Sequence, residues 1–224
     1  MATSGGAVNS RLSVNDWVQE GFRVLAEEGV KGLTLGRLCS RRGVTKGSFY
    51  WHFNDMTAYR WPMVPALALT AAMPALGSAE LVADLFARRL GERVLAYSGA
   101  AQKDQPSAQV RLGDARVRLR ALRGVVDAAA DDIQARVSAG QRVGRSVRAG
   151  VRVAAAHVVH ESRAVIADLL EVSGASAQFL DHPLQRAKRD VDVISGHVVF
   201  DYDVSRELAG ALEIGAKVPP FAMI

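Results

Sequence analysis

The sequence predicts an all-α protein in which a three-helix helix-turn-helix domain precedes an antiparallel helical bundle. Apolar residues recur at helical spacing through the first sixty residues and again beyond residue 78. No stretch alternates apolar and polar residues as a half-buried strand would. With 224 residues, 49% of them hydrophobic, the chain is long enough for one large or two small cores.

The first predicted helix begins after Ser13, a residue type that favours the N-cap position, and carries Asp16 near its start. Gly29 is predicted to end it after about four turns. The apolar positions recur every three or four residues, as one face of a helix requires. They are Trp17, Gly21, Val24 and Leu25.

Two short helices are predicted to follow. Thr34 can cap the second helix, and Gly43 breaks it. Thr45 can cap the third helix, over residues 46–52. Helix, short glycine-containing turn and helix together predict a helix-turn-helix.

Basic residues concentrate in residues 31–60. This stretch has six basic side chains against one acid, so it carries the whole net charge of +5 while the other residues sum to about zero. Such a local field suits binding of a polyanion through one small domain. The six are Lys31, Arg37, Arg41, Arg42, Lys46 and Arg60.

If the third helix enters a DNA major groove by its N-terminus, its leading residues acquire specific roles. Lys46 would neutralise a phosphate, and Gly47 would allow close approach of the backbone. Ser48 can bond a phosphate or a base edge, and Tyr50 suits a phosphate contact. Phe49 and Phe53 would face inward and hold the helix.

Each of these residues also has a structural interpretation. Thr34 and Thr45 can be N-caps, a role that does not exclude a phosphate contact. Three arginines can form a solvated face, and two aromatic residues at the helix end can serve packing. The arginines are Arg37, Arg41 and Arg42, and the aromatic residues are Trp51 and His52.

Within about residues 13–59, three motifs match one known domain in their residue types and in their order. They are Leu25–Ala26–Glu27–Glu28–Gly29, Thr34–Leu35 and the run from Gly43 to Phe53. They resemble the DNA-binding domain of the TetR family of bacterial transcriptional regulators. The resemblance implies a homodimer that reads a palindromic operator in double-stranded DNA. The predicted DNA-contacting residues are Thr34, Arg37, Arg42, Thr45, Lys46, Gly47, Ser48, Tyr50 and His52.

The segment after this domain departs from the TetR pattern of an unbroken fourth helix. A helix that starts at Met56 should be kinked or ended by Pro62 and Pro65. Residues 61–76 are apolar but contain three prolines, which predicts buried, irregular structure. The predicted domains are a flexible arm (1–12), the helix-turn-helix domain (13–60), a proline-containing linker (61–77), the bundle (78–215) and a tail (216–224).

The bundle is predicted from long amphipathic stretches. One helix covers residues 79–97, a helix of about thirty residues covers 106–137, and a third covers 143–172. Two shorter helices cover 183–195 and 204–212. Long helices joined by short loops favour antiparallel neighbours.

The bundle carries a second set of motifs: Ser173–Gly174–Ala175–Ser176, His182–Pro183–Leu184–Gln185–Arg186, Arg189–Asp190, Ser195–Gly196–His197 and Glu207–Leu208–Ala209–Gly210. They resemble the C-terminal helical domain of acyl-CoA dehydrogenases, particularly the flavin-dependent monooxygenases that act on aromatic substrates. In those enzymes this domain supplies part of the flavin site and the tetramer core. The resemblance places the histidine that matches His197 near the substrate.

Those enzymes also have an N-terminal helical domain and a β-barrel that hold the flavin ring, whereas this chain has the predicted helix-turn-helix in that place. A reactive cofactor must be fixed against its substrate by the protein. The sequence therefore predicts no enzyme and no cofactor, with flavin or acyl-CoA only as an effector. The alternative is a flavin-dependent oxidoreductase or a fragment of one, and a third hypothesis is an oligomerising scaffold.

Four residues of the second motif set are predicted to bind a ligand: Arg186, Arg189, Asp190 and His197. They could contact a flavin, a CoA or an aromatic effector. As the structural alternative, Arg189 and Asp190 form an ion pair, Arg186 caps or bridges helices, and His197 lies at an interface. His157 and His160 share one helical face and could bind a metal, but packing is the preferred interpretation, and no metal is predicted.

Cys39 is the only cysteine in the sequence, so an intramolecular disulfide cannot form within it. This favours a reducing, cytoplasmic setting near the nucleoid, and no membrane span is predicted. The overall prediction is a TetR-like repressor that acts as a homodimer, or as a tetramer, and responds to a small molecule.

Overall fold

The computed structural model describes residues 12–95, 98–219 and 222–224. Within these ranges the chain is helical, with an isolated antiparallel bridge between Val94 and Ala101 and no strand. This confirms the predicted fold class. The predicted flexible arm lies outside the described residues except for Leu12. The helices are α1 (Val14–Gly32), α2 (Leu35–Arg42), α3 (Lys46–Tyr50), α4 (Met56–Arg60), α5 (Val64–Glu92), α6 (Pro106–Ser138), α7 (Arg145–Glu171), α8 (Pro183–Ser195) and α9 (Tyr202–Glu213).

Helix α1 begins at a capping box. The backbone N–H of Asp16 donates to Oγ of Ser13 at 3.2 Å, and the backbone N–H of Ser13 donates to the Asp16 carboxylate at 2.7 Å. These bonds satisfy backbone donors that the first turn leaves open. The predicted cap is therefore confirmed. At Gly29 the backbone leaves the helical region (φ 70°, ψ −172°), and one further turn reaches Gly32.

Four aromatic rings form the core of the helix-turn-helix. Phe49 packs against Trp17, Phe53 and Tyr59, with ring centroids 5.1 to 5.3 Å apart. The Tyr59 hydroxyl donates to the backbone carbonyl of Trp17 at 2.7 Å. Phe49 and Phe53 are buried, as predicted, so α3 is held by the ring cluster and not by its own five residues.

The proline-rich segment differs from the prediction. Pro62 does interrupt the chain, since α4 ends at Arg60 and a 3-10 turn covers Trp61–Met63. The prediction of a linker with irregular structure over residues 61–77 is wrong, because α5 begins at Val64. Pro65 lies in the first turn of α5, where no backbone donor is needed. Pro74 lies in the helix interior among fully buried neighbours, Ala72, Ala75 and Leu76, whose packing offsets the lost backbone bond.

The bundle core is formed by α5 and α7, with α6, α8 and the turn before α9 packed around them. The helices predicted from periodicity agree with the structure to within about two residues, except that the helix predicted over 79–97 is the second half of α5. By length and hydropathy alone α5 could cross a membrane. Eleven of its residues are buried in the structure, and this burial accounts for its apolar composition.

The chain divides into two compact units. The first comprises Met1–Met63 together with Gln134–Val143, and the second comprises Val64–Ile133 and Gly144–Ile224. In the first unit, the Gln19 side chain donates to the carbonyl of Gln141 at 3.0 Å and accepts from the backbone N–H of Val143 at 2.9 Å. A segment remote in sequence therefore completes the helix-turn-helix unit. The predicted domain boundary near residue 60 stays a prediction.

Candidate functional site

A pocket opens beside the turn that follows α8. Its volume is about 290 Å³, at the low end for small-ligand sites. Helix α7 contributes His160 and Arg163, the turn contributes His197, and the start of α9 contributes Tyr202. Phe200 adds a second aromatic side chain to the lining. An aromatic wall with basic and imidazole groups around it suits a single aromatic ring that carries an oxygen, and the Asp201 carboxylate in the lining can accept from a ring hydroxyl.

His197 is positioned by the turn that it caps. Its Nδ1 accepts from the backbone N–H of Val199 at 3.2 Å, and the 3-10 turn Val198–Phe200 follows. Because Nδ1 is the acceptor, the proton of the neutral ring lies on Nε2. The exposed imidazole can therefore donate from Nε2 to a ligand oxygen.

Tyr202 is held on two sides and at its hydroxyl. Its ring stacks on His160 with centroids 4.4 Å apart, and the Arg206 guanidinium lies 4.4 Å from the ring centroid. Its hydroxyl lies 2.8 Å from Nδ1 of His157. Tyr202 thus forms one wall of the pocket, and His157 and His160 both pack around its ring.

Arg163 is part of an ionic cluster at the rim of the pocket. Nε of Arg163 donates to one oxygen of Asp192 at 2.7 Å, and Nζ of Lys188 donates to the other at 2.6 Å. Burial raises the pKa of the Asp192 carboxyl, but the bonds from Lys188 and Arg163 outweigh it, and the net shift is downward. Asp192 therefore stays ionised and fixes Arg163 at the rim.

The four predicted ligand residues do not converge. His197 lines the pocket, whereas Arg186, Arg189 and Asp190 lie on the exposed face of α8. Arg189 donates to the carbonyl of Leu180 at 2.9 Å, and Asp190 faces Arg186 at 3.9 Å. The alternative of an Arg189–Asp190 ion pair is therefore wrong, because on a helix side chains four apart meet and adjacent ones diverge.

The predicted DNA-contacting residues divide into two groups. Lys46, Gly47 and Tyr50 are exposed on α3, with Ser48 and His52 half-buried beside them. Thr45 occupies the N-cap position without a side-chain cap bond. The exposed side of α3 is thus accessible to a binding partner, and the sequence predicts that this partner is DNA.

The other predicted DNA-contacting residues form hydrogen bonds or ion pairs within the protein. The Thr34 hydroxyl accepts from the backbone N–H of Arg37 at 3.3 Å, which makes it the N-cap of α2. Arg37 binds both oxygens of Glu28, and Arg42 lies 3.7 Å from the buried Glu20. The sequence count over residues 31–60 omitted these acids of α1, so it overstated the local basic field.

Sequence reasoning missed several pocket residues, among them Tyr202 and Arg163. The spacing of His157 and His160 places them on one face of α7, and this was the sequence pattern that could have indicated the pocket. No sequence pattern predicts that this face contacts the start of α9. The contact depends on the fold after α8, which periodicity does not determine.

Two family models match the chain. Residues 69–202 match the acyl-CoA dehydrogenase C-terminal domain, which is more than half of the chain. The chain belongs to this family. Residues 18–58 match the bacterial regulatory proteins of the tetR family. Both resemblances predicted from the motifs are confirmed, and the acyl-CoA dehydrogenase-type domain contains the pocket.

Several relatives and solved structures resemble the chain. The oxygenase subunit HsaA of a flavin-dependent monooxygenase from Mycobacterium tuberculosis is 29% identical over 96% of this chain and 51% of its own length. The oxygenase component of p-hydroxyphenylacetate 3-hydroxylase from Acinetobacter baumannii is 24% identical over 78% of the chain and 42% of its own length. The crystal structure of M. tuberculosis HsaA has 30% identity and a TM-score of 0.63, covering 75% of this chain and 42% of its own. This acyl-CoA dehydrogenase-type chain spans about half the length of those relatives.

Two predictions are contradicted by these comparisons. The sequence predicted no enzyme and no cofactor, but the relatives are flavin-dependent monooxygenases. XiaF from Streptomyces, similar in fold with a TM-score of 0.66 and 24% identity over 72% of this chain and 42% of its own, is solved with FADH2. Both predictions are therefore corrected, because the M. tuberculosis relative is a flavin-dependent enzyme. The prediction of no enzyme rested on the domain that precedes the bundle and not on the residues of the bundle.

Proposed function

We propose that the bundle works in flavin-dependent oxidation of an aromatic compound, with the pocket at His197 as the aromatic site. The observation that carries this is the convergence of His197, His160 and Tyr202 on one cavity in the family-matched domain. In this proposal the ring of the substrate contacts the part of Tyr202 that lines the pocket, and Nε2 of His197 holds the proton at the substrate oxygen. The remaining walls of the flavin site come from outside the bundle.

The residues present fit part of a flavin. The pocket volume of about 290 Å³ suits one ring and not a whole dinucleotide. Arg186 is exposed on α8, and its ion pair with Asp190 is long at 3.9 Å, so its guanidinium can meet a phosphate. When bound, a reduced flavin supplies the activation of oxygen. This chain's residues bind and orient the aromatic compound.

The test is titration of the whole protein with FMN, FAD and hydroxylated aromatic acids, followed by calorimetry. We expect an aromatic acid to bind, with His197→Ala weakening it about tenfold through loss of one charge-assisted bond. Val193→Ala, an exposed change on α8 outside the pocket lining, is the matched control. Absence of heat with every compound, at protein concentrations that detect weak binding, would contradict the proposal.

A second function is favoured by the exposed α3 and the tetR-family match. We propose that the first unit binds a palindromic operator in double-stranded DNA, and that the chain acts there as a homodimeric or tetrameric repressor with the aromatic compound or flavin as effector. Binding of the effector would be coupled to binding of DNA, because the effector would shift the population of dimers that can bind DNA.

Nuclease footprinting on the DNA that flanks the gene tests this second function. A protected site with two-fold symmetry is expected at about 100 mM salt, and its absence would contradict the proposal. Lys46→Ala should weaken binding to all sequences and reduce the salt slope by about 0.9. Lys103→Ala, at an exposed lysine outside the basic stretch of residues 31–60, is the matched control and should leave the slope unchanged.

A further inference from the structure

Three arginines near the start of α7 contact residues 216–224, which are called here the tail. They lie three and four positions apart on one stripe of the helix, and the set is called here the α7 arginine row. Its members are Arg145, Arg148 and Arg152. Each donates to a main-chain oxygen of the tail, at 3.3, 3.5 and 3.4 Å in that order. The acceptors are those of Pro219, Ile224 and Met223. All three bonds are long for hydrogen bonds.

Arg152 is a buried cation. It is 2% exposed, and its Nε has no hydrogen-bond partner. Burial lowers the pKa of the Arg152 guanidinium, and the charge of Asp201 acts in the opposite direction. Among the described residues, no carboxylate forms an ion pair with Arg152. Burying a charge without an ion-pair partner is unfavourable, and an oxyanion that reached this guanidinium would remove the cost.

The start of α7 adds to the positive charge of the α7 arginine row. Gly144 at the N-cap position provides no side-chain acceptor, and the first turn contains no acidic residue. The tail contributes no acidic side chain either, and it has a lysine, Lys217. The N-terminal end of a helix carries a partial positive charge, which disfavours cations and favours anions such as phosphate. This end of α7 therefore concentrates positive charge that no side chain of the tail neutralises.

The tail is held on the bundle by an apolar anchor. Ile224 is 6% exposed and packs in a small cluster with Ala149 and Leu208. Inside the tail, the backbone N–H of Ala222 donates to the carbonyl of Pro219 at 3.1 Å, and that of Ile224 donates to the carbonyl of Ala222 at 2.7 Å. The described residues of the tail thus meet the α7 arginine row through main-chain oxygens. A ligand with charged oxygens forms stronger bonds to the same groups.

We propose that the α7 arginine row is a binding site for the phosphate groups of a ligand, and that the tail occupies this site until the ligand displaces it. Guanidinium groups match the geometry of phosphate oxygens and form charge-assisted bonds with them. From Arg145 to Arg152 the row extends about 10 Å along the helix, since each residue adds about 1.5 Å. A diphosphate therefore suits the row better than a single phosphate.

This site shares no residue with the pocket at His197, so the inference goes beyond the proposed function. Its test uses inorganic ions and citrate, without flavin, aromatic acid or DNA. Failure of this site and failure of the proposed function are therefore distinguishable.

Competition between the tail and the ligand sets the direction of each expected effect. When a site is occupied by its own chain, the affinity for a ligand is reduced by the fraction of molecules whose site is open. A change that weakens the anchor of the tail should therefore strengthen anion binding. A change that removes an arginine of the row should weaken it.

Calorimetric titration of the full chain with pyrophosphate, phosphate and citrate at constant ionic strength tests the proposal. We expect pyrophosphate to bind more tightly than phosphate, and more tightly than citrate, whose oxygens belong to carboxylates. Ile224→Ala should strengthen pyrophosphate binding about tenfold, because it weakens the anchor of the tail. Ile214→Ala, at an isoleucine that is 81% exposed, is the matched control and should leave the affinity unchanged. Citrate that binds as tightly as pyrophosphate, or equal affinities in the two isoleucine variants, overturns the proposal.

Arginine replacements locate the bound anion. Arg152→Met should weaken pyrophosphate binding about tenfold or more, and Arg145→Met should weaken it several-fold. Arg88→Met, at an exposed arginine of α5, controls for the loss of one positive charge. Circular dichroism reports whether each variant is folded, and the exposed Arg145 keeps the test decisive if Arg152→Met is not. Equal affinities in Arg145→Met and Arg88→Met overturn the proposal, as does the absence of heat from Ile224→Ala at about 10 mM pyrophosphate.

Hydrogen exchange reports displacement of the tail. Pyrophosphate at saturation should speed exchange of the amides of Ala222 and Ile224, because the turn loses its packing on α7 when the tail leaves. Amides in the middle of α6 should keep their exchange rates. Unchanged or slower exchange in the tail would mean that the anion binds without displacing it, which overturns the proposal.

Discussion

The hydroxyl of Tyr202 lies 2.8 Å from Nδ1 of His157, across the junction between α7 and α9. This bond fixes the tyrosine ring against His160, which lines the candidate pocket with it. The wall of the pocket therefore depends on a polar contact at its back as well as on stacking at its side.

Changes at Tyr202 should separate these two contributions. Tyr202→Phe removes the bond to His157 and should cost about 1 kcal/mol of unfolding free energy, while the ring still binds an aromatic acid. Tyr202→Ala should abolish ligand binding as well. Urea unfolding and calorimetric titration measure the two effects. If Tyr202→Phe lost the ligand as completely as Tyr202→Ala, contact with this ring would not be the source of affinity.

Glu20 should make the first unit sensitive to acid. Its carboxylate is 4% exposed and accepts from Nε of Arg41 at 2.6 Å and from Nη1 of Arg23 at 3.2 Å. Burial raises the pKa of Glu20, but the bonds from Arg41 and Arg23 outweigh it, so the pKa in the folded protein is lowered. The resulting stabilisation is present above the unfolded pKa of about 4.3 and is lost as the pH falls through the folded value.

Glu20→Gln should therefore reduce stability at neutral pH and flatten its decline in acid. Tryptophan fluorescence during urea unfolding measures this, because all three tryptophans lie in the first unit. Glu92→Gln on α5 changes an exposed carboxyl and should leave the pH profile as it is. An equally steep acid decline in Glu20→Gln would assign the sensitivity to other carboxyls.

The two predicted threonine caps should behave differently. Thr34→Ala removes an oxygen that accepts from the backbone N–H of Arg37, at an expected cost of about 1 kcal/mol. Thr45→Ala removes a side chain without a cap bond and should leave stability nearly unchanged. Urea unfolding compares the variants. A footprinting defect in Thr45→Ala with unaltered stability would give that residue a role in DNA contact.

Gly174 should be the least replaceable glycine of the bundle. Its φ is 77°, and an added Cβ would lie 2.3 Å from Nη2 of Arg93, whose Nη1 donates to the carbonyl of Ser173 at 2.6 Å. Gly174→Ala should cost about 2 kcal/mol, from backbone strain and displacement of Arg93.

Gly91→Ala is the matched control for Gly174→Ala. It lies in α5 with nothing near its added Cβ, so it should stabilise the protein by up to about 1 kcal/mol. Denaturation followed by far-UV circular dichroism compares the two. A neutral Gly174→Ala would show that neither the backbone at this position nor the displacement of Arg93 has a cost.

The sequence predicted elements well where local chemistry determines them. Ser13, Thr34 and Gly43 mark helix ends through caps and turns that involve near neighbours, and these positions agree with the structure. Pro62 was read correctly for the same reason. Pro74 was not, because an interior proline is tolerated only through packing on remote helices, which a local rule does not include.

The candidate site was less predictable than the fold. His197 was found by resemblance, whereas Tyr202 enters the pocket through contacts with residues more than forty positions earlier. The arginines of α2 were expected to face a partner, but their carboxylates lie one helix before the counted segment. In each case, the sequence pattern did not reveal a contact with a residue far away in the chain.

The bond between Gln19 and the segment around Gln141 bears on the order of folding. The ring cluster around Phe49 can assemble from residues within one stretch of chain, but the contact with Val143 closes a loop of more than a hundred residues. Loop closure on this scale is slow and entropically unfavourable. During synthesis, the first unit would leave the ribosome incomplete and acquire its last contact only after α6 has been made.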